Sequence, residues 1–280
     1  MAKNDFEKEE KYRLFRSVQE ILHPSISKKN ISDYEIIIDE NILPVRVFYP
    51  KKISNLSKVI IFIHGSGKVT DCHQKYSDIC RTFTKTNCLV IAIEYQEEKG
   101  KGEKLYQKVY STVQYLYSRL EKNAILPQDI ILVGDSTGGH IITGINYQNK
   151  GEINIQKEIL FYPALSLKYN DSSFYNSFAS NKDFNMNLLK NLENYFSYLY
   201  NKKERENLLF KPLESSLKTI PKTLLFVGKT DLLLDEVVEY SEKYKKEVHL
   251  VEVPFSSHGF LKDMDEELSK EIFDEVNSFI

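Results

Sequence analysis

The stretch Ile130-Ile131-Leu132-Val133-Gly134-Asp135-Ser136-Thr137-Gly138-Gly139 decides how the rest of the chain is read. Its apolar start has the pattern of a strand buried on both faces. The glycines then mark a sharp turn, and the residues up to about Gln148 continue as a helix. G-x-S-x-G set between a strand and a helix is the pattern of a nucleophile elbow. The turn is so tight that the serine needs small neighbours, which Gly134 and Gly138 provide. Ser136 would then stand at the mouth of a sheet, at a helix N-terminus whose dipole favours developing negative charge. Without that context the same letters would read equally well as a glycine-rich turn with an N-capping serine.

Outward from the elbow, the same alternation recurs. Val59–Ile63 and Leu89–Ile93 are continuous apolar runs, with a helical stretch around Tyr76–Thr86 between them. Leu105, Val109, Val113, Leu116 and Leu120 mark an amphipathic helix before the elbow strand. Strands are expected at Glu158–Phe161, Thr223–Val227 and Val248–Val253, a helix at Asp235–Tyr244, and a closing helix on Leu268, Ile272, Phe273, Val276 and Phe279. Apolar strands alternating with amphipathic helices predict an α/β fold with a mostly parallel sheet and helices on both faces. Tyr34–Asp39 and Val45–Tyr49 read as an antiparallel hairpin ahead of it. The rhythm breaks over 165–218, which is rich in Asn, Ser, Lys and aromatics and holds one strong helix around Leu188–Leu199. This segment is expected to fold over the sheet as a small helical cap, together with an N-terminal helix within residues 1–30. The whole chain, 1–280, is read as a single domain.

The 280 residues are 41% hydrophobic, ample for a core, and Lys+Arg 38 against Asp+Glu 40 leaves a net charge of −2. A nucleic-acid binder of the usual kind needs a basic excess, so none is expected. No apolar run approaches the roughly 20 residues of a membrane span. The opening Met1–Glu10 is charged and lacks an apolar core, so no signal peptide is expected and the expected place is the cytoplasm. Three cysteines, Cys72, Cys80 and Cys88, are too few for a disulfide framework. Cys72-His73 with Cys80 could be imagined as a metal cluster, but buried or bystander thiols are the simpler reading; no metal and no organic cofactor is expected.

A serine nucleophile needs a base. Of the six histidines, His23, His64, His73, His140, His249 and His258, the last follows Val248–Val253 in the loop Pro254-Phe255-Ser256-Ser257-His258-Gly259. That lies past the carboxyl end of a late strand, where sites of open α/β sheets sit. The base needs a carboxylate to fix its tautomer. Asp231 follows Thr223–Val227 through Gly228-Lys229-Thr230, again at a strand's carboxyl end. Asp235 and Glu236 are rivals, though both would suit the start of the next helix. The loop His64-Gly65-Ser66-Gly67 after Val59–Ile63 can offer backbone N–H groups to an oxyanion, together with the residue after the nucleophile, Thr137. His64 itself reads as a structural pin. Gly65-Ser66-Gly67-Lys68 is not a phosphate loop, since Phe62 stands where its first glycine should be and Val69 where Ser/Thr is required.

The order Ser136, Asp231, His258 is that of an α/β-hydrolase. Taken together, the motifs resemble the hormone-sensitive-lipase-like esterases of that fold. The marks are H-G-S-G at His64–Gly67 where that family usually has H-G-G-G, G-D-S-T-G-G at Gly134–Gly139 where it has G-D-S-A-G-G, Tyr162-Pro163, the segment Asp231–Glu236, and His258-Gly259-Phe260. The resemblance runs from about Val45 to the C-terminus. It implies that Ser136 is the nucleophile, that Asp231 and His258 complete a triad, and that Gly65, Ser66 and Thr137 donate to the oxyanion. It implies a serine carboxylesterase acting on small, short-chain acyl esters. Sugar-ester deacetylase and peptidase or amidase are the alternatives on the same fold, and a catalytically silent ligand-binding protein is the alternative from another class. After Ile93-Glu94-Tyr95 the family usually continues R-L-A-P-E, whereas this chain reads Gln96-Glu97-Glu98-Lys99-Gly100. An exposed last strand near Val248–Val253 could pair across a homodimer.

Overall fold

The computed structural model describes residues 34–36, 43–51, 58–65, 72–97, 99–166 and 182–280. The expected N-terminal helix, and with it one half of the expected cap, lies outside these residues, as does Ser66. The described strands are β1 (Tyr34–Ile36), β2 (Val45–Phe48), β3 (Val59–Ile63), β4 (Leu89–Ile93), β5 (Ile130–Asp135), β6 (Lys157–Phe161), β7 (Lys222–Gly228) and β8 (Val248–Val253). They form one sheet in the order β1-β2-β4-β3-β5-β6-β7-β8. β1 pairs with β2, and β2 with β4, antiparallel; every other pairing is parallel. The described helices are α1 (Cys72–Thr84), α2 (Gly102–Lys122), α3 (Thr137–Gln148), α4 (Lys182–Leu199), α5 (Leu234–Lys243) and α6 (Glu266–Phe279).

The continuous apolar runs are explained by what covers them. Successive side chains of a strand point to opposite faces. Val59, Ile61 and Ile63 of β3 and Ile130 and Leu132 of β5 therefore join one core, with Leu105, Val109, Val113, Leu116 and Leu120 of α2 and Ile141 and Ile145 of α3. Ile60, Phe62, Ile131 and Val133 join the other, with Phe83 of α1 and Ile272, Phe273 and Val276 of α6. Both faces are covered, so both sets of alternate positions are apolar along β3 and from Ile130 to Val133 of β5. Each such side chain, fully buried, contributes about 1.5–3 kcal/mol.

Between β6 and β7 the chain leaves the sheet. Phe196 and Leu199 of α4, followed by Tyr200 and Phe210, are buried in the first core. Tyr200 and Phe210 pack their rings 4.5 Å apart, and Tyr106 of α2 meets Phe210 edge-on at 4.9 Å. The described part of the insertion is thus seated on the α2–α3 face. The parallel run brings the carboxyl ends of β3, β5, β7 and β8 to one edge of the sheet. β8, the last strand, lies at one edge of the sheet, as expected.

Candidate active site

Ser136 joins β5 to α3 with φ 49° and ψ −114°, a conformation that costs a non-glycine residue about 1–3 kcal/mol. The surroundings hold it there. Ser136 N–H donates to Phe161 O at 2.9 Å, while Ser136 O accepts from His140 N–H at 3.0 Å and Ala164 N–H at 3.3 Å. The two glycines of the motif are demanded by close approach. A Cβ on Gly138 would lie 1.9 Å from Ile63 O, and one on Gly134 would lie 2.7 Å from the carbonyl carbon of Gly138.

Three of the candidate residues meet across the sheet edge. Ser136 Oγ lies 3.0 Å from His258 Nε2. His258 Nδ1 lies 3.1 Å and 3.2 Å from the two carboxylate oxygens of Asp231. A carboxylate only accepts, so it places the imidazole proton on Nδ1 and leaves the Nε2 lone pair facing the serine hydroxyl. Asp231 is fully buried, and its Oδ1 also accepts from Leu233 N–H at 2.9 Å. The loops carrying acid and base are laced together: Thr230 N–H and Thr230 Oγ1 donate to Ser256 O at 3.1 Å and 2.8 Å, and Lys229 N–H donates to Val253 O at 2.9 Å.

The rival residues have other surroundings. Asp235 is exposed in the first turn of α5. Glu236 is buried, its Oε1 accepting from Leu165 N–H at 2.8 Å, and burial pushes its carboxyl well above the usual carboxylate range. His249 is exposed on β8, 3.8 Å from Glu275. His140 is buried behind the elbow, 2.8 Å from Ala164 O and 3.1 Å from the Tyr200 hydroxyl, and burial pushes it down to about 4. His64 stacks flat on Tyr95 with ring centroids 4.2 Å apart, a structural setting of the kind expected for it.

The oxyanion loop departs from expectation at Gly65. Its N–H donates to Asp135 Oδ1 at 2.6 Å and so is not directed at the nucleophile. The cause is the burial of Asp135, since a fully buried carboxylate must be supplied with donors. The Tyr76 hydroxyl lies 2.8 Å from Gly65 O and 3.2 Å from Asp135 Oδ2, and Lys262 Nζ stands 4.0 Å from the same oxygen. Asp135 therefore fixes the root of the loop instead of leaving Gly65 as a donor. Thr137 is buried at the first position of α3.

Two residues of the site carry no role that the sequence assigned. One is Asp135, although an acid inside a run of buried strand residues is a signal that could have found it. The other is Tyr162, held at φ 36°, whose ring meets that of His258 at a centroid distance of 4.9 Å and an angle of 62°. Among the described residues no group of three or more His, Cys, Asp or Glu side chains could hold a metal ion. Cys80 and Cys88 are buried free thiols, and the side chains of Cys72 and His73 lie outside the described residues.

A serine, a histidine and a buried carboxylate in line at the carboxyl edge of a mostly parallel sheet define an α/β-hydrolase with a serine-hydrolase constellation. The family model for the α/β-hydrolase fold matches residues 60–262, and the chain belongs to that family, in its hormone-sensitive-lipase and carboxylesterase-like branch. Protein R526 of Acanthamoeba polyphaga mimivirus is 25% identical over 228 residues, 78% of this chain and 64% of that protein. Arylacetamide deacetylase of Mus musculus is 28% identical over 167 residues, 56% of this chain and 41% of its own length. The chain thus spans less than two thirds of either relative. Among solved structures, the Francisella virulence factor BioJ superposes with a TM-score of 0.73 at 23% identity, covering 89% of this chain and 84% of that one. That likeness is one of fold. Among the described residues no helix is long and apolar enough to cross a membrane.

Proposed function

We propose that this protein is a serine carboxylesterase that hydrolyses short-chain acyl esters through an acyl-enzyme on Ser136. The observation that carries the reading is the unbroken line from Ser136 Oγ to His258 Nε2 at 3.0 Å and from His258 Nδ1 to Asp231 at 3.1 Å. In the first half-reaction Ser136 Oγ attacks the ester carbonyl and His258 Nε2 takes its proton. The imidazolium that forms is stabilised by the Asp231 carboxylate. The carbonyl oxygen becomes an oxyanion that takes hydrogen bonds from the Thr137 N–H and, as the family resemblance implies, from Ser66, each such donor being worth about 2.7–4 kcal/mol. Collapse expels the alcohol, which leaves with the proton from His258. Water then repeats the sequence on the acyl-enzyme and regenerates Ser136.

The chain is read as one domain, with 165–218 and the N-terminal residues forming a cap over the site. It is placed in the cytoplasm with its thiols reduced, and the edge strand β8 is where a homodimer would pair. A second reading is amide hydrolysis, with the support of the mouse arylacetamide deacetylase named among the relatives, and a third is deacetylation of a sugar ester. Turnover of p-nitrophenyl acetate against a matched p-nitroanilide separates ester from amide hydrolysis, and a panel of acyl lengths and acetylated sugars separates the ester classes. Higher kcat/KM for esters of twelve carbons or more (against about two to six) would overturn the short-chain assignment. Failure of a fluorophosphonate to label the protein would favour a silent ligand binder.

A further inference from the structure

The segment Gln96-Glu97-Glu98-Lys99-Gly100, which stands where the related esterases usually carry R-L-A-P-E, has no part in the chemistry above. Glu97 and Gly100 are bonded to α4. The Tyr195 hydroxyl donates to Glu97 Oε1 at 2.5 Å, and Gly100 N–H donates to Tyr198 O at 2.8 Å. A phenol on a carboxylate at that separation is a charge-assisted bond, of the stronger kind. Just beyond the segment, Glu103 N–H donates to Glu204 Oε1 at 2.9 Å, a third tie to the insertion.

The other side of the segment faces the oxyanion loop. Tyr95, two residues before Glu97, carries the ring on which His64 stacks at an interplanar angle of 2°, and its hydroxyl donates to His64 O at 2.5 Å. Burial holds the Tyr95 phenol well above its usual range, so it remains a donor. His64 Nδ1 lies 2.9 Å from Gly65 O, and Gly65 N–H is bonded to Asp135, the neighbour of the nucleophile. A path thus runs from α4 to Glu97 by a hydrogen bond, along two residues of backbone to Tyr95, and from Tyr95 by contacts into the loop beside Ser136.

We propose that Glu97 is a positioning residue that ties α4, through Tyr195, to the oxyanion loop, through Tyr95 and His64, so that docking of α4 sets the loop for the tetrahedral intermediate. The proposal rests on ester hydrolysis at Ser136. Donors aimed at an oxyanion act in the transition state and little in the ground state, so loosening the loop lowers kcat and leaves KM nearly unchanged. This also gives the departure from R-L-A-P-E a physical role: the segment exchanges one loop support for a bond to the insertion.

The test is p-nitrophenyl acetate kinetics on the full chain and on Glu97→Ala, Glu97→Gln, Tyr195→Phe and the Glu97→Ala/Tyr195→Phe double variant, with melting temperatures alongside. Tyr195→Phe removes one oxygen and keeps the ring, which protects the test against misfolding. The expected result is a fall in kcat of about tenfold in Glu97→Ala and Tyr195→Phe, with KM within about twofold. The double variant should fall no further than the worse single one, because both remove the same bond. Glu97→Gln, whose amide oxygen still accepts, should keep most of the activity. Unchanged kcat in both single variants, even with a lower melting temperature, would overturn the proposal, as would additive losses or an effect confined to KM. An active wild type with active variants defeats this proposal alone; a wild type that turns over no ester defeats the esterase reading and the proposal with it.

Discussion

Glu158→Gln should remove a pH dependence built into the sheet. Glu158 lies on β6, fully buried, with Oε2 accepting from Asn146 Nδ2 at 2.8 Å and Oε1 from Thr223 Oγ1 at 2.7 Å. Burial, only partly offset by those two bonds, pushes its carboxyl from 4.5 up to about 7. The folded protein therefore holds a proton that the unfolded chain has lost between these values. The contribution is fully present below pH 4.5 and is lost as pH rises through 7. At about 1.4 kcal/mol for each pH unit, that window corresponds to about 3 kcal/mol. His140 works in the opposite sense. Pushed down from 6.5 to about 4, it contributes stability above 6.5 that is lost as pH falls through 4. The two slopes oppose one another where the windows overlap, so the wild-type profile alone hides both. The difference between Glu158→Gln and wild type isolates the first. In urea unfolding at pH 5, 6, 7 and 8, the variant should gain on wild type by about 2.5 kcal/mol between the lowest and highest pH. A difference that stays constant with pH would refute the reasoning.

Three further outcomes follow from the site. Asp231→Asn should lose at least about 10³ in kcat with little change in KM, because the amide favours the wrong imidazole tautomer. Asp235→Asn, at an exposed position in the first turn of α5, should keep its turnover and change stability by about 0.3–1 kcal/mol; steady-state kinetics and melting curves of the two variants check both. Gly138→Ala, whose methyl would meet Ile63 O at 1.9 Å, should cost about 3 kcal/mol or more in urea unfolding, or prevent folding.

The sheet was legible because its strands are buried on both faces. Val59–Ile63 and Leu89–Ile93 are unbroken apolar runs, and their boundaries agree with β3 and β4 to the residue. The elbow was legible because a strained serine needs glycines at fixed offsets, and Asp231 and His258 because each lies in a short loop past a strand's carboxyl end. What escaped were contacts between residues far apart in the chain. Asp135 takes Gly65 N–H from 70 positions away, which turns an expected oxyanion donor into a loop fastening. Glu236, read as an acid complementing a helix dipole, instead holds Leu165 where the insertion begins. The positive φ of Tyr162, a tyrosine in a conformation that favours glycine, has no local signal at all; its ring packs on His258 and Phe260, residues about a hundred positions away.

The most direct test of the central claim is the turnover of p-nitrophenyl acetate by Ser136→Ala, measured beside wild type at matched folding as judged by the melting curve. The change removes one oxygen and leaves the elbow and its glycines in place. The account predicts a loss of at least about 10³ in kcat. Retention of more than about a tenth of wild-type turnover, a barrier change of under about 1.4 kcal/mol, would mean that Ser136 is not the nucleophile.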